Sequence, residues 1–413
     1  MDFLKRNLYQ LLQKTIQTRP LVYLNGARQT GKSTLAQMFE NSNYISFDSP
    51  FYSISAKSNP ENFINKLPID VLNIIDEIQT SKEIFPYLKI AIDKNRMKGK
   101  NSQLYLLTGS ANLAALPSLS QALVGRMSVL TLFPLSTSEY YKTNFNFIEK
   151  LFDEDLFVKK FSDYNLLDAI VNATFPEIAL DGAINRKQWF DDYLNTLLQR
   201  DIRGVDDIRN PDKILTLLAY ITPRIGSLLN KASIQREVGL DFRTFEKYMG
   251  AIMKTFIISE IKPWAKPARI EKRFIRAPKI YFNDTNFMCY LMQRDIKEIY
   301  KNDAITMGHI FENFAAAEII KNASSLVDVK VSVFAPEGKE VDFAIERPNG
   351  DTIGIEVKLD ANLSQKDFNN LYNMRTMLGE KFKKGIVLYT GMDIIPMGDR
   401  VWALPASYLW DNT

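Results

Sequence analysis

Eight consecutive residues, Gly26-Ala27-Arg28-Gln29-Thr30-Gly31-Lys32-Ser33, have the types and spacing to do chemistry on phosphate. They fit G-x-x-x-x-G-K-[ST], the P-loop pattern. Its glycines let the backbone turn tightly, so that successive N–H groups point into one concavity and hold an anion. Lys32 is expected on the β- and γ-phosphates of ATP, and the Ser33 hydroxyl on Mg²⁺. Thr34 would extend the loop into a helix whose positive dipole end adds to the site.

A second element is needed to hold the metal and to direct water. Val71-Leu72-Asn73-Ile74-Ile75-Asp76-Glu77 supplies an apolar run ending in two acids. Asp76 would hold Mg²⁺ through water, and Glu77 would orient or deprotonate the attacking water. The segment Thr108-Gly109-Ser110-Ala111-Asn112 follows a third apolar run. Ser110 is the candidate to sit between the metal acid and the γ-phosphate, with Asn112 and Thr108 behind it. A plain turn of small polar residues explains the same stretch. Arg126 is a candidate to stabilise γ-phosphate charge, from its own chain or from a neighbouring subunit. An arginine in a structural ion pair fits equally well.

These residues need a scaffold. Leu21-Val22-Tyr23-Leu24 is a short apolar run suited to a buried parallel strand, and Thr34 to Phe39 has helical spacing. Strand, glycine loop and helix come in the required order. Gly-x-Arg-Gln-Thr-Gly-Lys-Ser, Ile-Ile-Asp-Glu-Ile-Gln, Thr-Gly-Ser and Leu-x-Gly-Arg, then Phe-Pro-Leu-Ser-x-x-Glu, together resemble a prokaryotic AAA-type ATPase family. Its members carry a C-terminal domain of unassigned function. The resemblance continues through Phe175-Pro176-Glu177, Thr196 with Arg200-Asp201, and Gly308 with Phe311-Glu312-Asn313. One departure is Ala173-Thr174 before Phe175, where glycines are commoner in the family.

Residues from about 138 to 205 read as helical, with Trp189, Tyr193 and Leu197 on one face, a stripe that suits core packing. Further on, a short helix ending at Gly239 and a longer one capped by Asp241 resemble helix-turn-helix. Two strand-like segments follow, 255–261 and 279–282. The link between them holds Lys262, Lys266, Arg269, Lys272, Arg273 and Arg276, with Trp264 among them. This order describes a winged helix with a basic wing. It suits DNA phosphates, and it equally suits a protein-docking module or an ATPase lid.

In the last hundred residues a turn at 348–351 separates two strand patterns. Asp342 lies on the first strand. Glu356 and Lys358 lie two apart on the second and so share a face. With Glu312 on the preceding helix, the order resembles the restriction-endonuclease-like nuclease superfamily. That resemblance implies a Mg²⁺ held by Glu312, Asp342 and Glu356, with Lys358 positioning the nucleophile. An ion-paired ladder without catalysis fits the same residues.

Bulk properties set the outer bounds. Among 413 residues, 52 basic and 48 acidic side chains leave a formal charge of +4, too small to imply nucleic acid by itself. One cysteine, Cys289, rules out an internal disulfide, and with one histidine, His309, it leaves no Cys/His zinc cluster. A reducing cytoplasm, with no membrane span and no signal peptide, is the expected setting. The expected fold class is α/β. A P-loop AAA-type parallel-sheet domain (1–137) and a helical connection or lid (138–210) come first. A winged-helix domain (211–300) and a restriction-endonuclease-like α/β domain (301–413) follow. The expected activity is ATP hydrolysis on or near DNA, with a nucleotide-dependent switch or scaffold as the alternative. A protein partner and a homo-oligomer are both compatible with this reading.

Overall fold

The computed structural model describes residues 4–97, 104–110, 121, 123, 125–202, 208, 210–265 and 277–411. Its first layer is a five-stranded parallel sheet made of β1 (Leu21–Asn25), β2 (Ser42–Ser46), β3 (Leu72–Asp76), β4 (Leu104–Thr108) and β5 (Met127–Thr131). The spatial order is β2-β3-β4-β1-β5. All five residues of β1 are buried, as a central parallel strand covered on both faces requires. The polar Asn73 inside β3 is satisfied: its amide donates to the Pro68 carbonyl at 2.8 Å and accepts from Asn43 at 3.0 Å. The strand order brings the C-terminal ends of β1, β3 and β4 together, the crevice where open α/β sheets bind ligands.

The segment after the first sheet is mostly helical, as its sequence suggests. It also contains a strand that its sequence does not announce. Lys159–Lys160 form β6, which pairs with a strand more than two hundred residues later. The helix Arg186–Thr196 runs directly into a π-helical turn, Leu197–Ile202. Two helices, Lys231–Val238 and Phe242–Lys254, are joined through Gly239, whose φ of +65° ends the first. The Asp241 carboxylate accepts from the Thr244 N–H at 3.0 Å and caps the second. β7 (Ile258–Ile261) then pairs antiparallel with β8 (Lys279–Phe282), and Leu228 bridges to Lys279.

The C-terminal layer is a seven-stranded mixed sheet. β9 (Lys330–Phe334), β10 (Val341–Glu346) and β11 (Thr352–Lys358) are antiparallel neighbours. β12 (Phe382–Tyr389) and β14 (Val401–Pro405) continue in parallel, and β13 (Asp393–Pro396) and β6 close the order β6-β13-β14-β12-β11-β10-β9. The twenty-residue helix Ala304–Ala323 is buried along most of its length because it serves several partners. Its Glu318 accepts from the Thr137 N–H at 2.9 Å, and its Lys321 donates to the carbonyl of Leu135 at 2.9 Å. This buried Glu–Lys pair ties the C-terminal layer to the chain leaving the first sheet. One apolar cluster joins Ala27 to residues from Phe145 to Trp410, so the middle and C-terminal segments share a core.

Candidate active site

The loop between β1 and the helix Lys32–Gln37 has the backbone that its glycines predict. Gly26 has φ +147°, and a Cβ there would lie 2.2 Å from the Leu132 carbonyl oxygen. Gly31 has φ +88°. The Lys32 side chain is buried, and its ammonium donates to the carbonyls of Ala27 at 2.7 Å and Gly26 at 3.1 Å. Burial lowers its pKa to about 8, against the opposing pull of Glu77 and Asp76.

Asp76 closes β3 as expected and collects three hydroxyls. Ser33 donates to it at 2.8 Å and Tyr44 at 2.6 Å, and Thr108 donates to its other oxygen. Sequence reasoning paired Ser33 with Asp76 but missed Tyr44, which no motif marks. Glu77 sits in the left-handed region at φ +56°, a conformation that a non-glycine residue seldom adopts. Gln79 donates to its carboxylate. Burial raises the Glu77 pKa, Asp76 adds to the rise, and Lys32 opposes it.

A cavity of about 610 Å³ joins these groups. Arg28, Gln29, Gly31, Lys32, Ser33 and Thr34 line one side, with Glu77 and Ser110 beside them. Ser110 thus lines the same cavity as the loop and Glu77, while Thr108 is turned to Asp76 and Asn112 lies outside the described residues. The opposite wall comes from the helix 186–196 and the π-turn, through Trp189, Tyr193, Thr196 and Arg200. Trp189 and Tyr193 are buried and stacked at 5.3 Å, so the aromatic stripe is core and cavity wall at once. The Trp189 indole donates to Glu177 at 3.0 Å, and Phe175 packs on both rings.

Two contacts hold the loop that sequence reasoning did not foresee. The Arg28 guanidinium Nε lies 2.7 Å from both oxygens of Asp201 in the π-turn. Burial raises the Asp201 pKa against the pull of Arg28. Arg6, near the N-terminus, donates to the carbonyls of Thr30 and Phe133 at 2.7 Å each, and its Nε lies 3.0 Å from Glu139. Glu139 also accepts from the N–H of Ser136 in a capping box. The Phe-Pro-Leu-Ser-x-x-Glu segment thus braces the phosphate loop from behind.

Arg126 is not part of the cavity wall. Its guanidinium donates to both oxygens of Asp93, at 2.7 and 2.9 Å. The ion-pair reading of this arginine is the one its own chain realises. Arg126→Ala is expected to cost no more than about 1 kcal/mol of stability, as for other half-exposed pairs. It should leave ATP turnover of the dilute protein unchanged. A turnover defect that grows with protein concentration would return Arg126 to a neighbouring copy's phosphates.

The C-terminal candidates lie together, with a lysine among them. One step beyond the registered pair Phe343–Ile355, Asp342 falls opposite Glu356. Its carboxylate accepts from the Val357 N–H at 3.0 Å. The ammonium of Lys279, the first residue of β8, stands among the acids. It is 2.7 Å from Glu340, 3.1 Å from Asp342 and 3.3 Å from Glu312. Tyr281 donates to Glu312 at 2.7 Å, and Glu312 packs so tightly on Gly226 that a Cβ there would meet it at 2.7 Å. Among the described residues no group of three acidic, histidine or cysteine side chains is spaced to hold a metal ion. This geometry therefore lends no support to a Mg²⁺ shared by Glu312, Asp342 and Glu356. The buried Lys279 ammonium offsets part of this cluster's charge, and Lys358 opposes the rise in the Glu356 pKa that burial and Asp342 cause. Lys279 and Glu340 were missed because nothing local distinguishes them.

Removing Lys279 leaves carboxylates without their counter-charge. Lys279→Met is expected to lower stability by about 3 kcal/mol in urea unfolding at neutral pH, the low end for a broken buried pair because Glu340 is 39% exposed. Burial raises the Glu312 pKa, with Asp342 adding and Lys279 opposing. A group with a raised folded pKa stabilises below its unfolded value and loses that contribution as pH rises. The deficit in Lys279→Met should therefore shrink as the pH falls into the ordinary carboxylate range. A variant as stable as the parent at neutral pH would show that the cluster does not hold β8.

Three segments of the chain match known families. Residues 18–141 match a family described as AAA domain. Residues 164–301 and 307–409 match two families described as domains of unknown function, DUF8612 and DUF4143. The uncharacterized proteins Rv2008c of Mycobacterium tuberculosis and Mb2031c of Mycobacterium bovis are each 23% identical to this chain. Each alignment covers 98% of this chain and 84% of the relative. Among solved structures, the Walker-type ATPase PABY2304 of Pyrococcus abyssi is 14% identical, with 70% of this chain and 96% of that one covered and a TM-score of 0.41. RuvB of Thermotoga maritima is 18% identical, with 61% and 88% covered and a TM-score of 0.29. The family match over residues 18–141, set on this loop geometry, supports a P-loop ATPase domain of the AAA type in the N-terminal third of the chain.

Proposed function

We propose that this chain is a Mg²⁺-dependent ATP hydrolase that works as a nucleotide-operated switch. The observation that carries the proposal is the single cavity shared by the phosphate loop, Glu77 and the helix–π-turn segment 186–202. Backbone N–H groups of residues 28–34 and the Lys32 ammonium would hold the phosphates. The Ser33 hydroxyl and Asp76, already 2.8 Å apart, form an oxygen pair suited to Mg²⁺, as a hard cation demands. Bound there, Mg²⁺ supplies neutralisation of phosphate charge. Glu77 positions the water, and Ser110 stands beside it. Arg200 enters from the π-turn next to the Arg28–Asp201 ion pair, so phosphate charge at the loop would be felt by that turn and by the helices after it. π-turns inside helices recur at functional sites.

DNA is the proposed partner of the following unit. Support comes from the order of helix, bridge at Leu228, two helices and hairpin, which is that of a winged helix, and from the exposed Arg243 at the start of the second helix. The basic residues 266–276 lie outside the described residues. Trp264 serves as an anchor here: its indole donates to Glu346 at 2.8 Å and its ring packs on Phe334. With Lys279 seated among the C-terminal acids, the C-terminal domain is proposed as a scaffold and not as a nuclease.

The test is ATP turnover with Mg²⁺, with and without duplex DNA, across a salt series. Turnover stimulated by DNA and losing that stimulation with salt is expected. Turnover indifferent to DNA would leave a protein as the partner, and absence of turnover would remove the hydrolase reading. In parallel, supercoiled plasmid with Mg²⁺ or Mn²⁺ should stay intact. Cutting that disappears in Lys358→Ala would overturn the scaffold assignment.

A further inference from the structure

The seven-stranded sheet has two edges, and the fold treats them differently. The β9 edge is covered by residues 262–264. The Val333 N–H donates to the Lys262 carbonyl at 3.0 Å, and the Trp264 N–H donates to the Val333 carbonyl at 2.6 Å. At the other edge β6 pairs with β13 on one side, through Lys159 opposite Ile394 and Lys160 opposite Asp393. Among the described residues no strand lies on its other side. Phe157 and Val158, just before β6, are each 74% exposed. An open edge flanked by bare apolar side chains is one that natural proteins ordinarily block or pair.

The chain around that edge is complementary to itself. Asp153-Glu154-Asp155-Leu156-Phe157-Val158-Lys159-Lys160 runs from acid through apolar to base. Read antiparallel against a second copy, acids fall opposite bases and apolar residues opposite apolar ones. We propose that residues 155–159 pair antiparallel with the same segment of a second copy of this chain, joining two sheets into one across a two-fold axis at Phe157. This proposal is independent of the ATPase reading.

Backbone geometry selects the register. The Phe161 N–H donates to the Met392 carbonyl at 2.7 Å, on the β13 side. Strand groups alternate with a period of two, so Lys160 turns its backbone groups to the open edge, and Val158 does the same once pairing extends β6 back through residues 155–158. Opposed residues in an antiparallel pair are of the same kind, so outward-turned residues must face each other. That condition is met with Phe157 opposite Phe157, Leu156 opposite Val158, and Asp155 opposite Lys159 of the second copy; Leu156 is buried in its own chain's core, so the apolar contact rests on Phe157 and Val158. A slide to the next allowed register sets Phe157 opposite Lys159 or opposite Asp155, so that the ring meets a charge and the Asp155–Lys159 rung is lost. Glu154 already pairs with Lys150, and its carbonyl accepts from Lys384 at 2.7 Å, so the ladder ends there. Charge selectivity rests on the Asp155–Lys159 rung, which symmetry repeats. Lysines on an edge strand usually keep other strands away. In this register no lysine faces another.

Sedimentation of the full chain across the micromolar range tests this. Wild type is expected as a dimer. Asp155→Lys and Lys159→Asp should each weaken association by about tenfold or more, because each places like charges opposite each other twice. An equimolar mixture of these two variants should associate as wild type does, since both rungs then carry opposite charges. Recovery in the mixture excludes misfolding as the cause of the single-variant loss, and matching thermal unfolding of each variant supports the same conclusion. A wild type that stays monomeric across that range would overturn the proposal. So would a dimer whose single variants and mixture associate equally.

Discussion

Lys32→Ala is expected to abolish tight ATP binding and to lower turnover by on the order of 10²–10³-fold or more, the scale for losing a preorganised charge aimed at a reacting group. The reason lies in how the ammonium is kept. It is buried, and its hydrogen bonds are to carbonyls of its own loop, 2.7 and 3.1 Å away. Alanine removes the charge and leaves those carbonyls without a donor, so both phosphate recognition and the loop's shape are lost together. Burial has brought the Lys32 pKa down to about 8. The ammonium is the form that attracts phosphate, so in the wild type ATP affinity should weaken as pH rises above that value. Titration calorimetry with ATP at two pH values reads both effects. Normal turnover in Lys32→Ala would sink the P-loop assignment.

Glu77→Gln is the second large effect. ATP affinity should be retained, and hydrolysis should slow by on the order of 10²-fold or more, as for loss of a positioned base. The amide keeps the size of the side chain and its contact with Gln79 but cannot accept a proton from water. In the proposed role Glu77 works as the carboxylate. Burial raises its pKa, with Asp76 adding and Lys32 opposing, so wild-type turnover should fall on the acid side at a higher pH than an ordinary glutamate gives. Residual turnover in Glu77→Gln should lack that acid limb. Single-turnover hydrolysis over a pH series separates the two. An unchanged rate would mean that another residue positions the water.

The phosphate loop and the Asp76-Glu77 pair were legible because their chemistry is local. Cradling a phosphate takes consecutive backbone N–H groups, so the residues that do it are neighbours in the chain. A strand ending in acid is likewise one continuous segment. The same holds for the Asp241 cap, the helix end at Gly239 and the β10–β11 hairpin, each specified by a few adjacent residues. Asn73 is polar within an apolar strand, and its bonds to Pro68 and Asn43 account for it.

What could not be read along the chain are the meetings of residues far apart in it. Arg28 finds Asp201, Arg6 finds Thr30 and Glu139, and Lys279 finds Glu312, Glu340 and Asp342. Each of these side chains is of an ordinary type in ordinary surroundings, so no spacing rule singles it out. The C-terminal acids illustrate the cost. Their order along two strands and a helix fits a metal site, yet whether they bind a metal depends on what fills the space between them. That is set by the docking of β8, a strand from another segment. Residue types and local spacing therefore established a nucleotide site and most of its elements. Packing alone decided which charges are neutralised, which side chains wall the cavity, and which sheet edge stays open, because those outcomes depend on distances between segments that the chain order leaves unspecified.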